Sequence, residues 1–465
     1  MRTFSILLII LLSTFTVKAQ DITGQWNGVL KVQGTQLRLV FNVTKSDNTF
    51  SASMDSPDQG AKGIPVTKTT FENSRIKFEI ANAGIAYEGE LSENEIIGTF
   101  KQAGQEFPMN LSRKAIDKEV VKRPQEPSKP YSYYSEDITF ENPKASISLA
   151  GTLTLPKKEG VFPVVILISG SGPQNRDEEL LGHKPFLVLS DYLTKNGIAV
   201  LRYDDRGVGK SKGNFKTATS ADFATDVESA ISYLKTRKEI NKKQIGLIGH
   251  SEGGLIAPMV ASKSKDVSFI VLLAGTGIQG DQLLLLQQAL IASANGATET
   301  DIKKTIQNNK VLFEMVVNSN DNQKLKTALT NQINELLKND TTAKIPNGMT
   351  KKTYVSLQVD QITSPWMQYF LKYNPAPALE KVRCPVLALN GEKDLQVPPK
   401  ENLTAIKNAL TKGGNKNATT IELAGLNHLF QESKTGSPAD YATIEQTFSP
   451  TALEEITKWI KVQTK

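Results

Sequence analysis

The chain has 465 residues, 39% hydrophobic and 22% charged, an ordinary globular balance with room for two or three domains. Its formal charge of +7 comes from lysines and arginines spread along the chain, which describes a solvated surface and argues against a nucleic-acid-binding arm. A single cysteine, Cys384, excludes an intramolecular disulfide, and three histidines without a cysteine cluster give no metal-ligand pattern, so no metal or other cofactor is expected.

Residues Met1 to Ala19 read as a secretory signal. Arg2 is its positive end, Phe4 to Leu12 its apolar core, and Val17 and Ala19 are the small residues before the cleavage point. The apolar run is too short to span a bilayer comfortably, and no later run reaches that length, so no stable membrane insertion is expected of a mature chain starting at Gln20. Removal of Arg2 and Lys18 lowers the charge from +7 to +5. A large exported chain without disulfides fits a bacterial periplasm or the medium.

From Ile22 to about Arg113 the pattern is β. Leu37-Arg38-Leu39-Val40-Phe41, Ile76-Lys77-Phe78-Glu79-Ile80 and Tyr87-Glu88-Gly89-Glu90-Leu91 alternate in the two-residue period of a pleated strand, with Gly, Asn, Asp and Ser between runs. Residues 20–113 therefore read as a small antiparallel β barrel or sandwich. It holds no histidine, cysteine or carboxylate cluster, which favours a structural or substrate-orienting appendage over a sugar- or lipid-binding module. Trp26 reads as core. Residues 114–136, with Pro124, Pro127 and Pro130, read as a semi-extended linker.

From Asp137 an α/β pattern is expected to run to Lys465. Asp137–Phe140 and Ser146–Leu155 open as an antiparallel pair. Phe162–Ile168, Ile198–Arg202, Ile245–Ile248, Phe269–Leu273 and Pro385–Leu389 are buried strands, alternating with helices such as Pro185–Asn196 and Ser220–Lys235. That alternation means a mostly parallel sheet covered on both faces. Ser220 is the expected cap of its helix. Between about residues 277 and 377 the alternation gives way to helices (Gln282–Ala294, Thr300–Asn318, Gln323–Leu337), most simply a lid. Leu283 to Leu286 and Trp366 to Phe370 are candidate pocket residues or the lid's own packing. A helix at Lys400–Leu410, a strand near Thr419–Leu423 and a helix at Thr451–Val462 close the domain.

Gly249-His250-Ser251-Glu252-Gly253 stands between a strand and an apolar helix, the context in which G-x-S-x-G marks a nucleophile elbow. Glycine is required two residues to either side because the turn leaves no room there for side chains. Ser251 is the candidate nucleophile, and the Glu252 N–H, at the helix start, a candidate oxyanion donor. His428 follows the last strand on a loop, where a parallel sheet presents functional residues, and is the candidate base. His250 should point into packing, and His183 frames the site. Asp394, past the strand Pro385–Leu389, is preferred over Glu392 as the residue that orients the base, because it stands further beyond the strand end. Ser171, with Gly172 as the alternative, supplies the second oxyanion donor in Ser169-Gly170-Ser171-Gly172-Pro173. Gly209-Lys210-Ser211 looks like a phosphate loop, but Asp204 occupies the position where that motif needs glycine. Asp205 and Arg206 read instead as braces for the loop after their strand.

Ser169–Pro173, Arg202–Ser211, Gly249–Gly254, Gly391–Asp394 and Asn427-His428 together resemble the α/β-hydrolase superfamily. Within it the chain is similar to bacterial exported esterases that join a small N-terminal β domain to a lidded hydrolase domain. The resemblance covers about Asp137 to Lys465. It implies a serine esterase that cleaves small-molecule carboxylic esters through Ser251, Asp394 and His428, with short to medium acyl chains. Ser169 departs from the histidine that many relatives carry before the oxyanion-loop glycine. A peptidase or thioesterase of the same fold, or a binding protein on a hydrolase scaffold, are the rival readings. Oligomeric state has no signal in the sequence.

Overall fold

The computed structural model describes residues 21–465 apart from 33–34, 48, 60, 103–104, 118–122, 340–344 and 346–348. The signal-like segment and part of the expected linker lie outside the described residues. The chain divides into two compact units, the first mainly residues 36–118 and the second mainly 119–343 and 351–465.

In the first unit the alternating runs form β1 (Gly24–Val32), β2 (Thr35–Ser46), β3 (Thr49–Ser56), β4 (Ala61–Pro65), β5 (Lys68–Glu72), β6 (Arg75–Ile80), β7 (Ile85–Ser92), β8 (Glu95–Gln102), β9 (Gln105–Pro108) and β10 (Leu111–Ser112). They make one sheet in the order β4-β3-β2-β1-β10-β8-β7-β6-β5, with β9 paired to β8. It is an antiparallel half-barrel, a single curled sheet rather than two packed ones. The residues at alternate positions meet inside: Trp26, Phe41, Phe78, Tyr87 and Phe100 are all buried, and the Phe41 and Phe78 rings stack 4.5 Å apart. Trp26 is core, as its pattern suggested. Its indole N–H donates to the Ile22 carbonyl at 2.8 Å, and the Arg113 guanidinium covers its ring at 3.8 Å.

The second unit is a mixed sheet, β11 (Tyr134–Asn142), β12 (Ile147–Leu155), β13 (Phe162–Ile168), β14 (Ala199–Tyr203), β15 (Ile240–His250), β16 (Val267–Leu273), β17 (Val386–Gly391) and β18 (Ala418–Leu423). Its order is β11-β12-β14-β13-β15-β16-β17-β18. β11, β12 and β14 pair antiparallel and the rest in parallel. The helices are α1 (Pro185–Lys195), α2 (Ser220–Thr236), α3 (Glu252–Ala261), α4 (Gly280–Ala294), α5 (Glu299–Val317), α6 (Asn322–Asn339), α7 (Lys351–Ile362), α8 (Pro365–Lys372), α9 (Ala376–Leu379), α10 (Pro399–Lys412) and α11 (Pro450–Gln463).

The continuous apolar strands have a simple cause. In β13, Val164, Ile166 and Ile168 pack with residues of α2, α3 and α10, while Val165 and Leu167 pack with residues of α1 and α11. Both faces of the sheet are dry, so both sets of alternate positions must be apolar. β15 starts at Ile240, five residues before the apolar run that marks it in the sequence: Ile240 pairs with Phe162 and Ile245 with Val164, and the polar Asn241–Gln244 between them breaks the register with β13. Two expectations need correction. Thr219, not Ser220, precedes the first turn of α2: the Asp222 carboxylate accepts from the Thr219 N–H at 2.9 Å, while the Ser220 side chain is buried and bonded elsewhere. The insertion between β16 and β17 also holds three helices that the pattern did not reveal as such, α7, α8 and α9. α7 buries only Val355 and Val359, too narrow a stripe to stand out.

Candidate active site

Ser251 sits between β15 and α3 with φ 53° and ψ −113°, a backbone conformation that non-glycine residues rarely adopt. Its N–H donates to Leu273 O at 2.8 Å. The flanking glycines follow from the same geometry. A Cβ on Gly249 would lie 2.0 Å from Gly253 O, and one on Gly253 would lie 2.1 Å from Ile168 O. Either contact is impossible without moving backbone, so the two glycines are what allows the strand to turn this sharply into the helix.

Two other strand ends deliver residues to the same edge. Asp394 follows β17 and His428 follows β18, and the His428 Nδ1 donates to Asp394 Oδ2 at 2.8 Å. Both side chains are buried. The Asp394 carboxylate is held by further donors: Gln396 N and Val397 N at 2.8 Å on Oδ1, and Asn390 Nδ2 at 3.2 Å on Oδ2. Glu392, its competitor, is exposed and accepts instead from Gly425 N at 2.8 Å. A cavity of about 240 Å3 is lined by Ser251, His428, Gly170, Ser171 and Glu252, with Leu283, Leu284 and Gln287 of α4 and Trp366 and Phe370 of α8 on its other side. Ser171 therefore stands at the cavity. Gly172 is not among its lining residues and carries φ +99°. Leu285 and Met367, also pocket candidates by sequence, pack into the insertion's own core.

Two buried carboxyl groups share the cavity, and sequence reasoning assigned neither a role. The Glu178 Oε1 accepts from Gly170 N at 2.7 Å and from His250 Nδ1 at 2.9 Å. The His250 Nε2 donates to the His428 carbonyl at 3.0 Å. His250 thus donates from both nitrogens. Burial opposes its charge, but the Glu178 carboxylate and the carbonyl outweigh it and raise its pKa. The result is a bracket that ties the residue before Ser251 to the backbone of His428 and to the Gly170 loop. Glu252 accepts from Ser220 Oγ at 2.5 Å and from Trp366 Nε1 at 2.8 Å, with Ser171 a further hydrogen-bonding partner. Burial raises its pKa above the usual carboxylate range in spite of those partners. Glu178 lies in the acidic stretch Asp177-Glu178-Glu179, and nothing local separates it from its neighbours.

The loop after β14 braces the one after β13. Asp205 accepts from Ser169 Oγ at 2.7 Å and from Gln174 N at 3.0 Å, and Arg206 pairs with Asp226 at 2.8 Å. Ser169, which departs from the related pattern, thereby anchors the Gly170–Ser171 segment to the neighbouring strand. Burial pushes the Asp205 pKa up to about 8, with Glu252 and Glu178 adding to the rise. His183 is not at the cavity. It is buried against the loop before α11, donating from Nε2 to Tyr441 O at 2.9 Å, with Thr447 Oγ1 3.0 Å from Nδ1.

The family model described as serine aminopeptidase, S33 (Hydrolase_4) matches residues 186–433. The chain belongs to this family, and its larger unit has the α/β-hydrolase fold. Esterase EstD of Thermotoga maritima is 25% identical over 337 residues, which cover 71% of this chain and 68% of that protein. Acyl-coenzyme A thioesterase 1 of Mus musculus is 30% identical over 125 residues, 27% of this chain and 26% of that protein. Among solved structures, the α/β hydrolase GrgF from Penicillium sp. sh18 matches with a TM-score of 0.45 at 17% identity, over 71% of this chain and 99% of that one. The Pyrococcus furiosus esterase Pf2001 matches with a TM-score of 0.43 at 15% identity, over 72% and 94%.

Proposed function

We propose that the protein is a serine hydrolase that cleaves carboxylic esters of short to medium acyl chains through an acyl-enzyme. The observation that carries this reading is the Asp394–His428 hydrogen bond of 2.8 Å at a cavity whose wall also holds Ser251 on its strained turn. With Nδ1 given to Asp394, the His428 Nε2 is the nitrogen free to take the Ser251 proton. The serine oxygen attacks the ester carbonyl, and the N–H groups of Glu252 and Ser171 receive the oxyanion. The imidazolium, steadied by Asp394, returns the proton to the leaving alcohol. Water then repeats the cycle on the acyl-enzyme. Similarity to Esterase EstD over most of the chain supports ester substrates.

The family description favours a second reading, an aminopeptidase. Such an enzyme needs a carboxylate to receive the substrate's ammonium group. The two carboxyls among the described residues that line this cavity are already engaged: Glu178 by Gly170 N and His250, Glu252 by Ser220 and Trp366. Ester cleavage therefore has the stronger support. The Met1–Ala19 segment supports export to a bacterial periplasm or medium.

The test is hydrolysis of p-nitrophenyl butyrate by the wild type and by Ser251→Ala, with circular dichroism on both. Loss of about 10^4-fold or more in kcat with an unchanged spectrum is the expected result. A variant that keeps its turnover would sink the nucleophile assignment.

A further inference from the structure

A second cavity, about 420 Å3, lies inside the helical insertion among residues of α4, α5, α6, α7 and α8. Part of its wall is apolar, with Leu312, Phe313 and Ile333 drawn from a hydrophobic cluster distinct from those on the two faces of the sheet. Much of the rest is neutral amide. Two of these amides bond each other across α4 and α5, Asn309 Nδ2 donating to Gln288 Oε1 at 2.7 Å. None of the described lining residues carries a charge.

Leu284 and Gln287, one turn apart on α4, line this cavity and the Ser251 cavity alike. Both are half-buried. The Gln287 Nε2 reaches Gln396 O at 3.4 Å, a long hydrogen bond that a change of rotamer releases. The two cavities thus share a wall of movable side chains. Size separates their roles. The Ser251 cavity, about 240 Å3, falls below the roughly 300–1,000 Å3 usual for a small-molecule site, and the second cavity supplies the missing volume.

We infer that the insertion cavity is a distal acyl subsite: an uncharged aliphatic chain too long for the Ser251 cavity passes between Leu284 and Gln287 and buries its end against Leu312, Phe313 and Ile333. The inference rests on the ester-hydrolase reading for the identity of the ligand. An apolar wall favours each added methylene by about fourfold in affinity. The absence of charge on the lining rejects an acyl group ending in a carboxylate or ammonium, since neither ion would find a partner there.

The experiment compares p-nitrophenyl acetate and octanoate on the wild type, Gln358→Phe and Leu336→Trp. The two variants fill the cavity from α7 and α6 without touching the Ser251 cavity. Acetate turnover should stay within about twofold while kcat/KM for octanoate falls at least tenfold. A second arm titrates Ser251→Ala calorimetrically with octanoate and butyrate. Octanoate should bind at least tenfold more tightly, and adding Gln358→Phe should remove the difference. Proportional losses on both esters, or equal binding of the two carboxylates, would overturn the subsite. No ester turnover by the wild type, with chain-length-dependent binding intact, would overturn the esterase reading and leave the subsite standing.

Discussion

The carboxyl edge of the eight-stranded sheet and the helical insertion supply opposite walls of one cavity, and they are built on different principles. At the sheet edge, Asp394, His428, His250 and Glu252 are buried, and each is held by hydrogen bonds from more than one element. In the insertion, the wall residues Leu284, Gln287, Gln288 and Asn309 are half-buried, Gln288 and Asn309 pair as neutral amides, and a cavity is left inside. The edge fixes atoms where a reaction needs them, and the insertion leaves room. Reaction type should therefore resist change in the insertion and yield to small changes at the edge, while chain-length preference should do the reverse.

The largest effect expected is on the rate. Asp394 accepts on every side, from Gln396 N, Val397 N, Asn390 and His428. In Asp394→Asn the new NH2 group must face either two backbone N–H groups or the imidazole. The second choice forces His428 into the tautomer whose Nε2 already carries a proton and cannot take one from Ser251. A fall of about 10^3- to 10^4-fold in kcat is expected, with KM within a few fold. A tenfold loss or less in steady-state kinetics would show that Asp394 does not set the tautomer.

Next comes the backbone. Gly253→Ala places a Cβ 2.1 Å from Ile168 O, whereas at Gly296, in the insertion, a Cβ would meet nothing within 4 Å. Gly253→Ala should cost on the order of 3–5 kcal/mol or prevent folding. Gly296→Ala bears only the strain of φ +81°, about 1 kcal/mol. Urea denaturation of the two variants side by side measures the contrast, and equal costs would erase the distinction between the regions.

What the sequence disclosed divides along the same line. Ser251 and its glycines were legible because the elbow is local: residues within two positions of one another dictate the turn. The pairing of Asp394 with His428 was legible because topology repeats, each standing on the loop just beyond a strand of the parallel sheet. The bracket from Glu178 through His250 to His428 was not, since it joins positions 72 and 178 residues apart and leaves no pattern in any window. The same holds for Ser220, whose place before an apolar helical stripe suggested a cap. Its burial against Glu252 depends on the packing of α2 on α3, which no local rule reports. In the insertion, α7 escaped notice because its face is mostly polar, a consequence of the cavity it helps to enclose.

A moderate effect is expected where the two regions meet. Trp366 of α8 donates to Glu252, the residue after Ser251, at 2.8 Å. Trp366→Phe keeps an aromatic ring beside Phe370, where the native rings stack 5.1 Å apart, and removes only the donor. A buried carboxyl that loses a donor costs about 1–3 kcal/mol. The expected outcome is a severalfold rise in KM with kcat nearly unchanged, together with a lower melting temperature. A fall in kcat without a change in KM would place Trp366 with the edge rather than with the insertion.

The last effect is one of pH, and it tests the edge from behind. Burial pushes the Asp205 pKa up to about 8, far above its unfolded value, with the Glu252 and Glu178 carboxyls nearby raising it further. A carboxyl whose folded pKa is raised contributes stability at low pH that is lost as pH rises from its unfolded pKa through its folded one, here from about 4 to about 8. His250, also raised, loses its contribution in the same direction as pH rises above the ordinary histidine value of about 6.5. The wild type should therefore melt lower on the alkaline side. Asp205→Asn keeps a carbonyl oxygen for Ser169 Oγ or Gln174 N but has no proton to lose, so its melting temperature should fall less between about pH 5 and pH 9. Parallel melting curves for the two proteins across that interval would mean that Asp205 braces the Ser169–Gln174 loop in one protonation state throughout.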